Sequence, residues 1–202
     1  MIDPAPARTA TVVRATAIAA GTALTVALPL TFPADDGPSG LDAAVADPIA
    51  ATVSPGLAEV LVAPSNAPVV LAVLLAAVGW FAVRRRWRAA LTMLVVPELA
   101  LAINTVVLKP LWDRQMHDYL AYPSGHTVHL VAVATTFACL VTTRTARITV
   151  AALTVLALLA ITPGMVVLGY HRPTDVLGGA AAATALVAAL CWLAEALRAA
   201  VR

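Results

Sequence analysis

The sequence predicts an all-α bundle of six transmembrane helices, with its chemistry gathered at one face of the membrane. Three observations carry that prediction. Hydrophobic residues make up 61% of the 202 and charged residues 12%, with a mean hydropathy of +0.89; a soluble domain carries roughly 25% charged residues. The apolar residues fall into six runs of about the length a span needs, roughly 20 residues. The polar residues that interrupt them cluster where a run meets water, above all at Tyr122-Pro123-Ser124-Gly125-His126 and at His171-Arg172-Pro173-Thr174-Asp175.

The first run is Ala10–Phe32. It exceeds the 7–15-residue core of a signal peptide, so a retained span is expected. A stretch rich in Pro, Asp and Ser follows over residues 33–66 and reads as an extracytoplasmic loop. Within it Ser54-Pro55 is a helix-start signal, and Leu57, Val60 and Leu61 predict a short interfacial helix lying on the membrane surface. The second run, Ala67–Val83, is short for a span; Trp87 and snorkelling arginines at its end are expected to extend it. The remaining runs are Ala89–Leu108, His126–Thr143, Ile148–Leu168 and Val176–Leu197. No repeat or soluble domain is visible, so residues 1–202 read as one integral membrane domain.

Arginines set the orientation. Arg84, Arg85, Arg86 and Arg88 lie between the second and third runs, Arg144 and Arg147 between the fourth and fifth, Arg8 and Arg14 at the start and Arg198 and Arg202 at the end. These ten of the thirteen basic residues fall on one side, which the positive-inside rule makes cytoplasmic, with both termini. Lys109, Arg114 and Arg172 remain on the outer side, in or beside the histidine segments. Cations kept on the disfavoured side suggest an anion site. Cys139 and Cys191 lie within apolar runs without metal-ligand spacing and read as small buried residues.

The histidine segments suggest the chemistry. Asp175, four residues after His171, falls in the first turn of a helix opened by Pro173. The helix dipole favours a carboxylate there. Hydrogen-bonded to one imidazole nitrogen, it fixes the tautomer and leaves the other nitrogen free to attack. Ser124 and Gly125 precede a helix whose first backbone N–H groups offer an anion site. His126, on the first turn, is placed to donate a proton to a leaving oxygen. Lys109 closes the third run and can neutralise phosphate charge. His129, one turn beyond His126, reads either as a supporting residue or as a structural hydrogen bond. Glu98 and Asn104, within the third run, carry the same two readings.

These motifs resemble those of the type 2 phosphatidic acid phosphatase (PAP2) family of membrane lipid-phosphate phosphatases. That family has Lys, six residues, Arg-Pro; then Pro-Ser-Gly-His; then Ser-Arg, five residues, His, three residues, Asp. The similarity runs from about Leu108 to Gly179 at motif level and over the whole chain in topology. It implies a PAP2-like six-helix bundle with the site at the outer face. Carried over, Lys109 is the first-motif lysine, Pro123 to His126 are the second motif, and His171 and Asp175 end the third. The resemblance implies that His171 forms a phosphohistidine, His126 protonates the leaving group, Asp175 orients the nucleophile, and neither metal nor cofactor is needed.

Two departures stand out. Met116 occupies the arginine position of the first motif, and Gly164-Met165 the Ser-Arg pair of the third. The expectation is that Arg114 and Arg172, displaced by two and seven residues, replace the lost charge. Substrate binding is thus assigned to Lys109, Ser124, Gly125, Arg114 and Arg172. The expected activity is hydrolysis of a membrane lipid phosphate: phosphatidic acid, phosphatidylglycerol phosphate, or a polyprenyl phosphate or diphosphate. The expected setting is the outer face of a bacterial plasma membrane. Partners are the lipid phosphate and membrane lipids, with no nucleic acid; the oligomeric state stays open. The alternative is a non-catalytic lipid-phosphate-binding or transport protein on the same fold, which the missing arginines favour. A metal-dependent hydrolase using His117, Asp118, His126, His129, His171 and Asp175 is disfavoured by the basic neighbours.

Overall fold

The computed structural model describes residues 5–200, and most of them are helical. The helices are α1 (Ala5–Ala27), α2 (Gly40–Thr52), α3 (Pro55–Val62), α4 (Ala67–Val83), α5 (Trp87–Ile103), α6 (Lys109–Trp112), α7 (Gly125–Leu140), α8 (Arg144–Val167) and α9 (Pro173–Ala200). A turn of π-helix over Asn104–Leu108 joins α5 to α6. A small antiparallel hairpin, β1 (Gln115–Met116) and β2 (Tyr119–Leu120), pairs Gln115 with Leu120 and Met116 with Tyr119.

Among the described residues, five helical stretches are long and apolar enough to cross a membrane, and α7, at 16 residues, is a shorter apolar helix. α7 and α9 form the centre: Val128, Val131 and Ala132 of α7 pack on Ala183 and Val187 of α9 and on Val96 and Ala100 of α5. A second cluster joins Val70, Leu74 and Phe81 of α4 to Met93 of α5 and Val133 of α7. Outward faces are apolar as well, with Val83, Val106 and Leu159 all strongly exposed. A helix apolar all round is what a lipid solvent selects.

Small residues bring the helices close. A Cβ on Gly21 of α1 would lie 2.7 Å from the Ala181 carbonyl oxygen of α9. One on Gly178 would lie 2.1 Å from the Tyr122 ring, and one on Gly179 would lie 2.8 Å from the Ser124 carbonyl oxygen. Glycine at these positions permits the approach of α9 to the Tyr122-Pro123-Ser124 segment.

The 33–66 segment holds two helices. Ser54 caps α3 and Pro55 occupies its first turn, as the start signal implies. Yet α3 does not lie alone on the surface. It packs on α8, where a Cβ on Gly164 would come within 2.7 Å of the Ala58 carbonyl oxygen. Together with α4 it makes one apolar stretch, Pro55–Val83, of 29 residues. The short second run is therefore lengthened on its N-terminal side rather than through Trp87. α2 has no counterpart among the expected elements. Its capping box, Ser39 with Asp42, is the signal that could have revealed it.

The helix directions separate the two kinds of polar residue. Arg86 donates to the Leu140 carbonyl oxygen at 2.8 Å and Arg147 to that of Val141 at 3.1 Å, so the α4–α5 and α7–α8 turns meet. Arg14 of α1 pairs with Glu195 of α9 towards the same end. The C-terminal end of α5 and the N-terminal ends of α7 and α9 come together at the opposite end, with the histidines.

Candidate active site

A cavity of about 580 Å³ opens at the histidine end, and Lys109, Tyr119, Gly125, His126, Tyr170 and His171 lie on its wall. Three chain segments deliver them. The π turn after Asn104 directs the chain into Lys109, whose Nζ donates to the Leu120 carbonyl oxygen. Ser124 caps α7, its Oγ accepting from the Thr127 N–H at 3.4 Å. That leaves Gly125 and His126 at the first two helical positions, where backbone N–H groups have no partner within the helix. His171 stands two residues before the start of α9, and its ring lies edge-on to that of His126 with centroids 5.7 Å apart. The Tyr170 ring lies nearly parallel to that of His126, with centroids 6.3 Å apart.

Behind His171 stands Asp175, fully buried. Its Oδ2 accepts the Arg172 N–H at 2.8 Å and lies 3.9 Å from His171 Nδ1, which has no hydrogen-bond partner. Its Oδ1 accepts from Arg114 Nη1 at 2.7 Å. Its backbone carbonyl accepts the Ser124 N–H at 3.0 Å, tying the start of α9 to the start of α7.

The predicted residues thus divide. Lys109, Gly125, His126 and His171 meet at the cavity, with Asp175 behind them. Ser124 is fully buried and faces Thr127 and Asp175 instead of the cavity. Arg172 does not line the cavity, although its Nη1 is buried without a hydrogen-bond partner. Arg114 is turned away altogether. It is 1% exposed, with Nη1 also donating to Thr174 Oγ1 at 2.7 Å, Nη2 donating to Asp42 Oδ2 at 2.8 Å, and the Phe32 ring 3.7 Å from its Cζ. The structure does not bring it to the place where a phosphate would sit. The displaced motif explains this: two residues before Met116, the chain is still leaving α6 through Asp113, which adopts a left-handed conformation, and the side chain turns inward. At the other departure, Met165 is fully buried with Val62, Ile161 and Val176. α3 and apolar packing fill that position.

Further residues complete the surroundings, and Asp42 is not among those singled out from sequence. Burial tends to raise the Asp42 carboxyl, but its bonds from Arg114, Thr174 and Ser39 outweigh that and hold it below the usual carboxylate range. Tyr119 donates to the Tyr170 carbonyl oxygen, and burial, then Asp175 and Asp118, push its hydroxyl upward, so it stays protonated. Burial likewise pushes the Tyr122 hydroxyl well above its ordinary range, and it donates to the Thr25 carbonyl oxygen at 2.7 Å. His129, deeper on the cavity wall, bonds Glu98 at 2.9 Å. Asn104 donates to the Pro123 carbonyl oxygen at 3.3 Å. Among the described residues no three His, Cys, Asp or Glu side chains converge as a metal-binding group.

Comparisons with known proteins agree with this architecture. No curated protein sequence matches the chain. Among solved structures, the crystal structure of a transmembrane PAP2-type phosphatidylglycerolphosphate phosphatase from Bacillus subtilis is similar, with a TM-score of 0.68 and 21% identity over 94% of this chain and 97% of that one. The profile of the PAP2 superfamily matches residues 15–199, nearly the whole bundle and every motif residue at its mouth, and the chain belongs to that superfamily.

Proposed function

We propose that the protein removes phosphate from a membrane lipid by way of a phosphohistidine. The observation that carries this reading is the pair of imidazoles, His126 and His171, 5.7 Å apart on the wall of a cavity they share with Lys109. A phosphate between them meets a nucleophile, an acid and a cation at once. His171 Nε2 attacks phosphorus while the bond to the lipid oxygen breaks, and His126 gives that oxygen its proton. The phosphoimidazole carries a positive charge, and the Asp175 carboxylate beside Nδ1 stabilises it; closing the 3.9 Å gap as charge develops is the usual tightening of an apo site. Water then attacks phosphorus, His126 takes its proton, and phosphate leaves with His171 restored.

Lys109 and the N–H groups of Gly125 and His126 would hold the phosphate oxygens. Of the two arginines expected to supply further charge, Arg172 keeps an unpartnered Nη1 for the task. The arginine distribution supports a plasma-membrane orientation with cytoplasmic termini and an extracytoplasmic site. The substrate of the similar B. subtilis protein makes phosphatidylglycerol phosphate the first candidate, beside phosphatidic acid and polyprenyl phosphates.

The test is phosphate release by purified protein in detergent, over that panel, with EDTA present. Release is expected to survive EDTA and to fall by about 10⁴-fold or more in His171→Ala. Activity abolished by EDTA would exclude the metal-independent route. Binding of lipid phosphate without turnover, by folded protein, would exclude the enzyme.

A further inference from the structure

We infer that Asp42 and Arg114 are positioning residues for the phosphoryl transfer, acting through Asp175 on His171; this rests on the phosphatase reading above. The starting point is how completely the Asp175 carboxylate is constrained. Arg114 Nη1 takes Oδ1 at 2.7 Å, and the Arg172 N–H takes Oδ2 at 2.8 Å. With both oxygens held, the carboxylate cannot rotate, and Oδ2 stays the one that faces His171 Nδ1.

Arg114 is in turn fixed by Asp42, whose Oδ2 takes Nη2 at 2.8 Å while its Oδ1 takes the Thr174 N–H at 2.9 Å. The Ser39 N–H and hydroxyl also donate to Asp42 Oδ2, at 3.0 and 2.9 Å. Phe32 closes one face of the guanidinium. Asp42, Arg114 and Asp175 are each no more than 1% exposed.

Two carboxylates around one guanidinium leave a net negative charge directly behind the imidazole that must become cationic. The arrangement suits transfer better than resting binding, since neither Asp42 nor Arg114 lines the cavity. It also makes the 33–66 segment part of the reacting assembly: the N-terminus of α2 is docked on that of α9 by the residue that orients Arg114.

The test is steady-state kinetics of Asp42→Asn, Arg114→Lys and the double variant, in full-length protein, on the lipid that the wild type hydrolyses best. Lysine keeps the charge but cannot span both carboxylates with two nitrogens. We expect kcat to fall about ten- to hundredfold, the range found when a residue that orients a metal-bound histidine is removed, with KM within about threefold. The double variant should be little worse than the worse single one, because both act through one contact.

Monodispersity and melting temperature check the fold, and Asp42→Asn, which keeps the volume and the Thr174 contact, decides if Arg114→Lys does not fold. Turnover that requires His171 but has wild-type kcat in the folded variants overturns this inference alone. A raised KM with unchanged kcat assigns Arg114 to substrate binding and also overturns it. Failure of every variant to fold marks the network as structural only. Absence of turnover in the wild type removes the phosphatase reading and this inference together.

Discussion

The two ends of the bundle use arginine in opposite ways. At the end of the α4–α5 and α7–α8 turns, Arg84 is exposed and lies over the Trp80 ring at 4.6 Å, while Arg86 and Arg147 satisfy carbonyls left open at the end of α7. At the histidine end, Arg114 is sealed from solvent and shared between two buried carboxylates. Exposed cations at a membrane edge orient the chain collectively, and each is individually dispensable. A buried cation balanced by buried anions is not, because removing it strands charges that water cannot reach. Under the proposed orientation and mechanism, the position of an arginine along the bundle axis would separate topology from chemistry.

Arg114→Met keeps much of the side-chain volume and deletes the charge. Asp42 and Asp175 would face each other across the gap without a counter-ion. The expected cost is about 3–5 kcal/mol, read as a large drop in melting temperature of the detergent-solubilised protein, with activity lost. A variant as stable as the wild type would mean that the network contributes nothing to the fold.

Acid offers a graded version of the same experiment. Asp42 has its folded-state pKa lowered, chiefly because the bonds from Arg114, Thr174 and Ser39 overcome the opposing effect of burial. A depressed carboxylate contributes stability that is fully present above its unfolded value, about 3.9, and that is lost as pH falls through the folded value. Melting temperature should therefore drop more steeply below about pH 4 in the wild type than in Asp42→Asn, in which that titration is absent. Parallel curves would show that the Asp42 charge is not coupled to folding.

What the sequence reveals of this site follows the reach of its interactions. His126 and His171 were legible because each sits at a helix start, where local rules apply, and Lys109 because it ends an apolar run on the disfavoured side. The apolar runs were legible from hydropathy, whereas the part that α3 plays in the second stretch was not. Asp42 was not: its capping box with Ser39 is local, but its bonds to Arg114 and Thr174 cross 72 and 132 residues, and no periodicity records them. Arg114 was visible as an outlying cation, yet its direction was not, because that depends on the left-handed turn at Asp113 and on an anion supplied by α2. Gly164-Met165 looked like a lost clamp; in three dimensions it is a packing surface for α3.

At the other end of the bundle a substitution should cost little. Arg84→Ala removes an exposed guanidinium from the wall of a cavity of about 650 Å³ that Arg86 also lines. An exposed cation–π contact contributes about 0.5–1 kcal/mol, which for a chain of this size shifts melting by roughly 1–4 °C. Phosphate release should be unchanged, since the histidines lie at the far end. Orientation should also hold, because Arg85, Arg86, Arg88, Arg144 and Arg147 remain on the same side. Melting temperature and activity measured beside Arg114→Met decide the matter. Comparable losses in the two variants would mean that burial is not what makes Arg114 matter, and the contrast between topological and chemical arginines would have to be given up.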